Sequence, residues 1–543
     1  MKNSFLRPAR TACCRAAVFG SVLACAVSVL RADFGVTSVS GRYQVDTGAG
    51  LVFQINQANG DLVSILYAGK QLQDQSKFSG IASGLGAAAV SATTYDDAIK
   101  ITCETATLTH YYLARRGFNN IYMATYTTAE PTVGELRYIA RLNRANLPNG
   151  PRESDILGGT AIEGSDVFLV GTETRSKFYS SVPFIEDQVH GVTGDGVGAY
   201  MVIPGNGYEA SSGGPFFRDI DNQGGTQQEV YFYMNSGHLQ TEAYRMGLHG
   251  PYALCINDGP APSASLDMNF VKNLGLTGYV PVNGRGMIHG KVTGIPSGFP
   301  AVLGFANGTA QYWAYANPTS GVYKRGQMIP GTYTMTLYKY ELAVASTTVT
   351  IPANGSVTQD LASTEVVPAA LWRIGDWDGT PAGFLNADKI ERMHPSDARM
   401  SPWAQSGPFV VGSSDVGAFP MAQFKDVNNP LLIQFELTPE QVANHTLRIG
   451  ITSSFNGGRP QVSVNPGTAN AWNGPNPPAP TKINSRGVTR GTYRGINQTF
   501  SVAIPASAFV AGTNIIRITA ISGTAGSAFL SPNYVFDAIE LDQ

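Results

Sequence analysis

Short segments of alternating apolar and polar residues, separated by Gly and Asn, follow one another along most of this chain. The segment LVFQINQANGDLVSILYAG, residues 51–69, has the form of a β-hairpin with Asn59-Gly60 as its turn. The pattern continues through IKITC, NIYMATYTT and ELRYIARL, without a convincing amphipathic helix longer than about a dozen residues. The chain is therefore predicted to be all-β, with antiparallel strands that bury one face and expose the other.

Composition and charge exclude several classes of protein. With 43% hydrophobic and only 14% charged residues, and with 61 glycines, the chain is neither a coiled coil nor a disordered protein. Its formal net charge of −2 gives no reason to expect a nucleic acid or an acidic membrane surface as a partner. An acidic ligand would have to be bound by a local cluster of cations.

Residues 1–32 have the pattern of an export signal peptide. A basic start is followed by the apolar run Ala16–Leu30 and by a small-residue exit. The mature protein is therefore expected to be secreted, either outside the cell or into a periplasm. Cys103 and Cys255 remain after the signal; these two cysteines could pair, but they do not make a disulfide framework.

Changes in the pattern of short strands and loops along the sequence divide the mature chain into three predicted domains. Residues 33–275 are expected to form a large antiparallel β-sandwich, and residues 276–364 a fibronectin type III-like sandwich. Residues 365–543 are expected to form a jelly-roll module like those that bind carbohydrate. In this last region Trp372, Trp377, Trp403 and Trp472 are candidates either for stacking on sugars or for the core.

Basic residues of the first domain suggest a site for a carboxylate. Arg137 and Arg141 are four residues apart in ELRYIARL and fall on one face of a strand, where they form either an anion site or a solvated face. Lys177 lies in TETRSKFYSS, where Arg175, Lys177 and Tyr179 alternate and are expected to share a strand face. A neighbouring cation and partial burial would favour the neutral amine of Lys177, which can accept a proton, although a plain surface lysine fits the pattern as well.

The stretch YFYMNSGHLQTEAYRMGLHGPYALCIND, residues 231–258, holds the other candidates. Tyr231 and Tyr233 are two residues apart, so both hydroxyl groups are expected to face the same cleft shortly before His238. His238 and His249 each stand beside a glycine turn, and either is a catalytic or a structural histidine. No Cys or carboxylate cluster with ligand spacing surrounds them, so no metal site is predicted here.

Several motifs taken together resemble a known family. The segments ELRYIARL, TRSKFYSS, YEASSGGPFFRDI, YFYMNSGHLQTEAYRMGLHGPYAL and IGDWDGTPAGFLNADKIERMHPSDARM occur in this order and are similar to those of the rhamnogalacturonan lyases of polysaccharide lyase family four. The resemblance implies a catalytic β-super-sandwich, a fibronectin type III-like domain and a jelly-roll, carbohydrate-binding-like domain. It also implies that Lys177 and His238 are the catalytic pair. The residues that it implies for substrate binding are Arg137, Arg141, Tyr231 and Tyr233.

The activity implied by the resemblance is β-elimination in the backbone of rhamnogalacturonan I, a pectin polysaccharide, at the rhamnose-(1,4)-galacturonic acid bond. The products carry an unsaturated galacturonosyl end. The resemblance favours an endolyase, but it does not decide between endo and exo action. It also leaves open which of Lys177 and His238 is the base and which is the acid. No cofactor is expected for catalysis, a structural calcium ion in the C-terminal domain stays an open alternative, and a monomer without nucleic-acid or membrane partners is expected.

Two other functions remain as alternatives at this stage. The first is a non-catalytic pectin-binding protein on the same scaffold, which would not need Lys177 or His238. The second is a glycoside hydrolase, which needs two carboxylates flanking the scissile bond. Glu209, Asp219 and Glu242 are available for such a pair, but only Glu242 lies within residues 231–258.

Overall fold

The computed structural model describes residues 33–81, 84–129, 134–238, 242–481 and 486–543. The predicted signal peptide, residues 1–32, lies outside this part of the chain. The described residues form 37 β-strands and nine short 3-10 helices, and they contain no α-helix. The all-β prediction is therefore confirmed. None of the described residues forms a helix long and apolar enough to cross a membrane.

The first 19 strands build the catalytic-domain candidate. They form a seven-stranded sheet in the order β15-β16-β19-β10-β9-β8-β7, a four-stranded sheet β17-β18-β11-β6, a five-stranded sheet β1 to β5 and a three-stranded sheet β12-β13-β14, all antiparallel. The strands are β1 (Gly35–Val39), β2 (Arg42–Asp46), β3 (Val52–Asn56), β4 (Leu62–Tyr67), β5 (Lys70–Gln71), β6 (Gly80–Ile81), β7 (Ala89–Thr94), β8 (Ala98–Glu104), β9 (Leu108–Arg115), β10 (Asn120–Thr127), β11 (Leu136–Leu142), β12 (Thr160–Glu163), β13 (Val167–Val170), β14 (Glu173–Arg175), β15 (Val189–Gly194), β16 (Val197–Val202), β17 (Asn222–Gly224), β18 (Gln228–Asn235) and β19 (Gly247–Asn257).

The predicted hairpin is present in this domain. Strands β3 and β4 pair antiparallel, and the chain reverses through Asn59-Gly60. Gly60 has a φ of +72°, and a Cβ atom there would lie 2.8 Å from the Sγ atom of Cys103. Glycine is therefore required both by the left-handed backbone and by the close approach of the next sheet.

Strand β11 shows how alternation sets the two faces of the four-stranded sheet. Tyr138, Ala140 and Leu142 are fully buried against the seven-stranded sheet, as part of the largest hydrophobic core. The intervening residues Arg137 and Arg141 are only partly buried on the opposite face. Because side chains alternate along a strand, the opposite face of β11 carries the two arginines together with Ile139, which is buried in a second cluster with Tyr231 and Tyr233.

Two smaller sandwiches follow. The second group of strands forms sheets β23-β20-β26 with β27, and β22-β21-β24-β25, around a core of its own. Its strands are β20 (Gly286–Thr293), β21 (Ala301–Ala306), β22 (Gln311–Tyr315), β23 (Val322–Met328), β24 (Gly331–Lys339), β25 (Leu342–Ile351), β26 (Ser356–Thr358) and β27 (Leu361–Ala362). This is the expected type of sandwich for a fibronectin type III-like domain.

The third group forms two five-stranded sheets, β28-β37-β32-β35 with β30, and β29-β31-β36-β33-β34, packed face to face. Its strands are β28 (Ala370–Gly375), β29 (Phe409–Val410), β30 (Ala422–Phe424), β31 (Leu431–Leu437), β32 (His445–Phe455), β33 (Arg459–Val464), β34 (Trp472–Asn473), β35 (Gln498–Ile504), β36 (Gly512–Ile521) and β37 (Asn533–Asp542). No sheet contains described strands from two of the three groups. The boundaries placed at residues 275 and 364 stay predictions.

Tryptophan and cysteine residues belong mainly to the cores. Trp372, Trp377 and Trp403 are buried in the third sandwich, whereas Trp472 is partly exposed. Burial removes the first three as platforms for sugar stacking. Cys103 and Cys255 are free thiols, and burial raises the pKa of each to about 12. The disulfide considered for this pair is therefore not formed.

The 3-10 helices connect strands and carry several site residues. They span Arg152–Ser154, Lys177–Ser180, Asn269–Asn273, Val282–Gly284, Val416–Ala418, Pro439–Gln441, Val488–Arg490, Ala506–Ala508 and Ala528–Leu530. The second of them, called the Lys177 turn below, projects from the first domain towards the third.

Candidate active site

Lys177 is the first residue of a 3-10 turn and not part of a strand. Strand β14 ends at Arg175, and Ser176 then caps the turn by accepting a hydrogen bond from the backbone N–H of Phe178 (3.3 Å). The strand face predicted to run through Arg175, Lys177 and Tyr179 is therefore wrong. The physical reason is the serine cap, which competes with the extended conformation because its hydroxyl bonds the local backbone.

The neighbour of the Lys177 amine is a carboxylate, not the predicted cation. Lys177 Nζ lies 3.6 Å from Asp166 Oδ1, and its side chain is 28% exposed. Arg175, which was expected beside it, instead bonds Glu173 at 2.7 Å. The other oxygen of Asp166 lies 2.5 Å from Arg490 Nη2, so Lys177 shares this carboxylate with an arginine from the third sandwich.

Arg490 was not predicted as a site residue. Its guanidinium group lies 4.7 Å from the centre of the Phe178 ring, directly beside the Lys177 turn. Tyr179 also reaches the third sandwich, because its hydroxyl donates to the carbonyl oxygen of Thr489 (2.8 Å). No local sequence pattern links residues more than 300 positions apart, and only tertiary structure brings them together.

His238 lies between two carboxylates. Its Nδ1 atom is 3.1 Å from Asp219 Oδ2, and its Nε2 atom is 3.4 Å from Glu135 Oε1. Burial by itself disfavours the charged ring, but the charges of Asp219 and Glu135 outweigh it and raise the pKa of His238. The charged imidazolium is therefore stabilised in this site.

The ring of Phe178 connects the two predicted catalytic residues. Lys177 Nζ lies 5.5 Å from the centre of this ring, and the His238 ring packs edge-on against it with centroids 5.1 Å apart. A small cavity of about 20 Å³ beside His238 is bounded by Phe178, Asp219 and Arg490, among others. The fold thus brings an amine and an imidazole to the same aromatic ring.

The predicted arginine and tyrosine residues share one face of the four-stranded sheet. In the pairing of β11 with β18, Arg137 is opposite Tyr233 and Arg141 is opposite Glu229. Arg137 Nη1 donates to the Tyr233 hydroxyl (2.6 Å) and forms an ion pair with Glu135, which also contacts His238. The shared face predicted for the two arginines is confirmed.

Arg141 and Tyr231 lie further along this face. Arg141 bonds Glu229 (3.3 Å) and the carbonyl oxygen of Phe78 (2.8 Å), while the Tyr231 hydroxyl donates to Glu229. The rings of Tyr231 and Tyr233 are stacked 5.8 Å apart. Burial and nearby carboxylates raise the pKa of both tyrosines well above its ordinary value, so they act as neutral hydrogen-bonding groups.

Replacing Asp219 with asparagine is expected to lower the pKa of His238, because it removes the nearer of the two charges that oppose burial. Titration of the His238 imidazole by NMR, with histidine isotope labelling, should show a midpoint at lower pH in Asp219→Asn than in the unmodified protein. Asp258→Asn, at an exposed position, is the matched control and should leave the midpoint unchanged. An unchanged midpoint in Asp219→Asn would contradict the proposed effect of the contact between Asp219 and His238.

A second buried cluster lies under Tyr231. Asp187, His190 and Asp221 form a group of a kind that could hold a metal ion, and it lies in the first domain rather than in the C-terminal one. His190 Nδ1 is 2.7 Å from Asp187, however, and its Nε2 is 2.6 Å from the carbonyl oxygen of Tyr231. Because both ring nitrogens face acceptors, they act as donors and not as metal ligands. The residues therefore fit an internal ion cluster better than a metal site.

This cluster is expected to make stability depend on pH. Burial alone disfavours the charged ring of His190, but Asp187 and Asp221 raise its pKa to about 9 from the ordinary value of 6.5. A raised pKa in the folded state contributes stability that is fully present below about pH 6.5 and is lost as the pH rises through about 9. His190→Gln should therefore lower the free energy of unfolding by about 3 kcal/mol at pH 6, and by less at pH 10.

Urea unfolding at the two pH values measures this difference. His289→Gln is the control, because His289 is an exposed histidine whose ring nitrogens bond the hydroxyls of Ser356 and Thr358. It should change stability little at either pH. A loss in His190→Gln that is the same at pH 6 and pH 10 would show that the charge of His190 is not what stabilises the cluster.

The carboxylates considered for a hydrolase do not form a free pair. Glu209 is bound by both terminal nitrogens of Arg285 (2.6 and 2.8 Å), and Glu242 is held by Arg245 (2.9 Å). Asp219 contacts His238. His249, the other candidate histidine, is fully buried, and burial lowers its pKa to about 4, so it is a structural residue.

Comparison with known proteins gives matches over nearly the whole chain. Residues 34–278 match the family model "Rhamnogalacturonan lyase B, N-terminal", and residues 284–359 and 370–541 match domains II and III of polysaccharide lyase family 4. The chain is 51% identical to a probable rhamnogalacturonate lyase A of Aspergillus terreus, over 96% of this chain and 97% of the relative. It is 50% identical to rhamnogalacturonate lyase A of Emericella nidulans (95% and 97% covered) and 49% identical to that of Aspergillus aculeatus (96% and 99%).

The three β-sandwiches and these matches define a polysaccharide lyase of modular, all-β architecture. The second sandwich is the fibronectin-like domain II, and the third is the carbohydrate-binding-like domain III. The chain belongs to polysaccharide lyase family 4, the family of the rhamnogalacturonan lyases. The resemblance seen in the sequence motifs is thereby confirmed.

Proposed function

We propose that this protein is a secreted endolyase that cleaves the backbone of rhamnogalacturonan I by β-elimination. The scissile bond joins rhamnose to O4 of a galacturonic acid residue, and the product carries an unsaturated galacturonosyl end. The observation that carries the proposal is the contact of Lys177 and His238 with the same Phe178 ring, beside the Arg137–Glu135 pair. Relatives named rhamnogalacturonate lyase support the choice of substrate.

The reaction requires a base, an acid and a site for negative charge. The C5–H bond next to the carboxylate breaks, and its electrons form the C4–C5 double bond as the C4–O4 bond breaks. Negative charge develops on the galacturonate carboxylate in the transition state, so a cation beside it accelerates the reaction. Arg137, a half-buried residue of β11, supplies that cation in the proposal, together with Arg141.

The electrostatics around His238 favour the role of acid for this residue. The raised pKa of His238 favours the charged ring, which is suited to protonate the departing O4 oxygen. Lys177 is then the base that takes the C5 proton. Tyr231 and Tyr233 are neutral phenols and serve as hydrogen-bonding groups beside Glu229 and Arg137. No cofactor enters these steps, and a structural calcium ion in the C-terminal domain stays a prediction.

Ultraviolet absorbance of the unsaturated uronic acid tests the reaction. Purified protein is incubated with rhamnogalacturonan I in the presence of a chelator, and the products are sized by chromatography. Rising absorbance with rapid shortening of the polymer is expected of a metal-independent endolyase, whereas release of short products only would indicate exo action. Cleavage without absorbance would indicate a hydrolase, and binding without cleavage would indicate a non-catalytic pectin-binding protein.

A further inference from the structure

We propose that Glu391, in the third sandwich, is a positioning residue that holds the two catalytic groups of the first domain in register. This inference rests on the roles proposed above for Lys177 and His238. Glu391 lies in the C-terminal domain, ahead of strand β29. Its carboxylate contacts Arg218 and Arg494 rather than the side chain of Lys177 or His238. It acts through Arg218.

Arg218 connects Glu391 to the Lys177 turn. Glu391 Oε1 lies 2.6 Å from Arg218 Nη1, and the Arg218 side chain is buried in the first domain. Arg218 Nε donates to Ser181 Oγ (2.9 Å), and its Nη2 donates to the Ser181 carbonyl oxygen (2.5 Å). Ser181 is the residue that follows the Lys177 turn, and its hydroxyl bonds the carbonyl oxygen of Phe178 (2.7 Å). Arg218 thus fixes the end of the turn that presents Lys177.

The same arginine is adjacent in sequence to the partner of His238. Asp219 is buried, and its carboxylate lies 3.1 Å from His238 Nδ1. A shift of the backbone at Arg218 would move Asp219 with it. The ionic contact between Glu391 and Arg218 is therefore expected to influence the positions of both Lys177 and His238.

A second arginine reinforces this contact from the third sandwich. Arg392, next to Glu391, donates from Nη1 to the carbonyl oxygens of Tyr179 (3.0 Å) and Ser181 (2.5 Å). The carbonyl groups at the end of a 3-10 turn lack partners within the turn and are the groups that cations bind well. Residues 391 and 392 together hold the turn from the opposite domain.

Glu391 also belongs to an ion chain through all three domains. Its Oε1 atom lies 2.6 Å from Arg494 Nη1, and Arg494 forms a two-point contact with Glu341 of the second sandwich (2.6 and 2.7 Å). Although burial alone favours its neutral form, Arg218 and Arg494 lower the pKa of Glu391 to about 2. The carboxylate is therefore charged at any working pH.

Removing the charge of Glu391 is expected to disturb the structure around Arg218. Without Glu391, the buried guanidinium of Arg218 faces Arg494 and Arg392 and has lost its carboxylate partner. Glu391 is partly exposed but Arg218 is buried, so removing the carboxylate leaves an uncompensated buried charge, which is unfavourable. We expect the Lys177 turn and Asp219 to shift with Arg218. A displacement of about 1 Å at a catalytic group can lower a rate by about 100-fold.

The test compares Glu391→Gln, Glu391→Asp and Glu341→Gln in the full chain. Glu391→Gln keeps the shape of the side chain and removes its charge, and it should lower kcat on rhamnogalacturonan I by about 10-fold to 100-fold with little change in KM. Glu391→Asp keeps the charge and should recover part of the rate. Glu341→Gln breaks the ion chain elsewhere and should lower Tm while leaving kcat near its original value.

A readout independent of activity accompanies the kinetics. The NMR titration midpoint of His238 should fall in Glu391→Gln, because Asp219 no longer sits against the ring, and should stay unchanged in Glu341→Gln. Absence of absorbance with the unmodified protein would refute the proposed function, and the titration would then still decide the positioning role. A folded Glu391→Gln variant with the original His238 midpoint, or a Glu341→Gln variant with an equal loss of kcat, would overturn the proposal.

Discussion

Replacing Lys177 with alanine is expected to lower kcat on rhamnogalacturonan I by about 10³-fold or more, with KM nearly unchanged, because general-base catalysis contributes about 10²–10⁴-fold. The Lys177 side chain is partly exposed, and Asp166, shared with Arg490, holds its amine in place. In the proposed reaction the amine takes part in the proton transfer and contributes little to ground-state binding. The loss should therefore appear in kcat.

The measurement is the initial rate of absorbance by the unsaturated product at several substrate concentrations. Lys272→Ala is the matched control, since Lys272 is an exposed lysine of the same domain and should leave kcat unchanged. Circular dichroism and Tm should be the same in both variants. An active Lys177→Ala enzyme would require a different base, and His238 would be the next residue to test.

Replacing Arg137 with alanine is the second change with a large expected effect. Arg137 bonds the Tyr233 hydroxyl and Glu135, which in turn contacts His238, so it lies at the centre of the charged groups. Removing a cation that stabilises developing charge typically lowers kcat by about 10²–10³-fold. Arg137→Lys keeps the charge but loses the planar, two-point geometry, and it should recover only part of this loss.

Arg141→Ala serves as the comparison within the same strand face. Arg141 is held by Glu229 and by the Phe78 carbonyl oxygen, further from His238 along β11. We expect a smaller decrease in kcat and a larger increase in KM than for Arg137→Ala, as for a residue that binds a more distant part of the substrate. Equal effects of the two replacements on kcat would mean that both arginines contact the reacting carboxylate.

The strands and the arginine face were predictable because they depend on local alternation. A two-residue repeat in ELRYIARL fixes which side chains share a face, whatever the rest of the fold does. The hairpin at Asn59-Gly60 was predictable for the same reason, because its turn chemistry is contained in a few neighbouring residues. The presence of three groups of strands was predictable from changes in the pattern of short strands and loops along the sequence.

The remainder of the site depends on contacts between distant segments. Alternation predicts a strand where the Lys177 turn lies, because it does not reveal that Ser176 caps a 3-10 helix. Asp166 is brought to Lys177 by the sheet β12-β13-β14 within the first domain, whereas Arg490 approaches only after the third sandwich has packed on the first. Ion pairs of this kind leave no spacing pattern in the sequence, because their partners are brought together by tertiary packing.

The two buried thiols provide an internal probe of unfolding. Cys103 and Cys255 lie on β8 and β19 of the same seven-stranded sheet, enclosed by side chains, with a pKa of about 12. Thiolate is the reactive form, so reagents in neutral buffer should not modify either residue while the sheet is intact. In a chain that begins at residue 33, the rate of thiol alkylation would therefore report how often this sheet opens, without any introduced label.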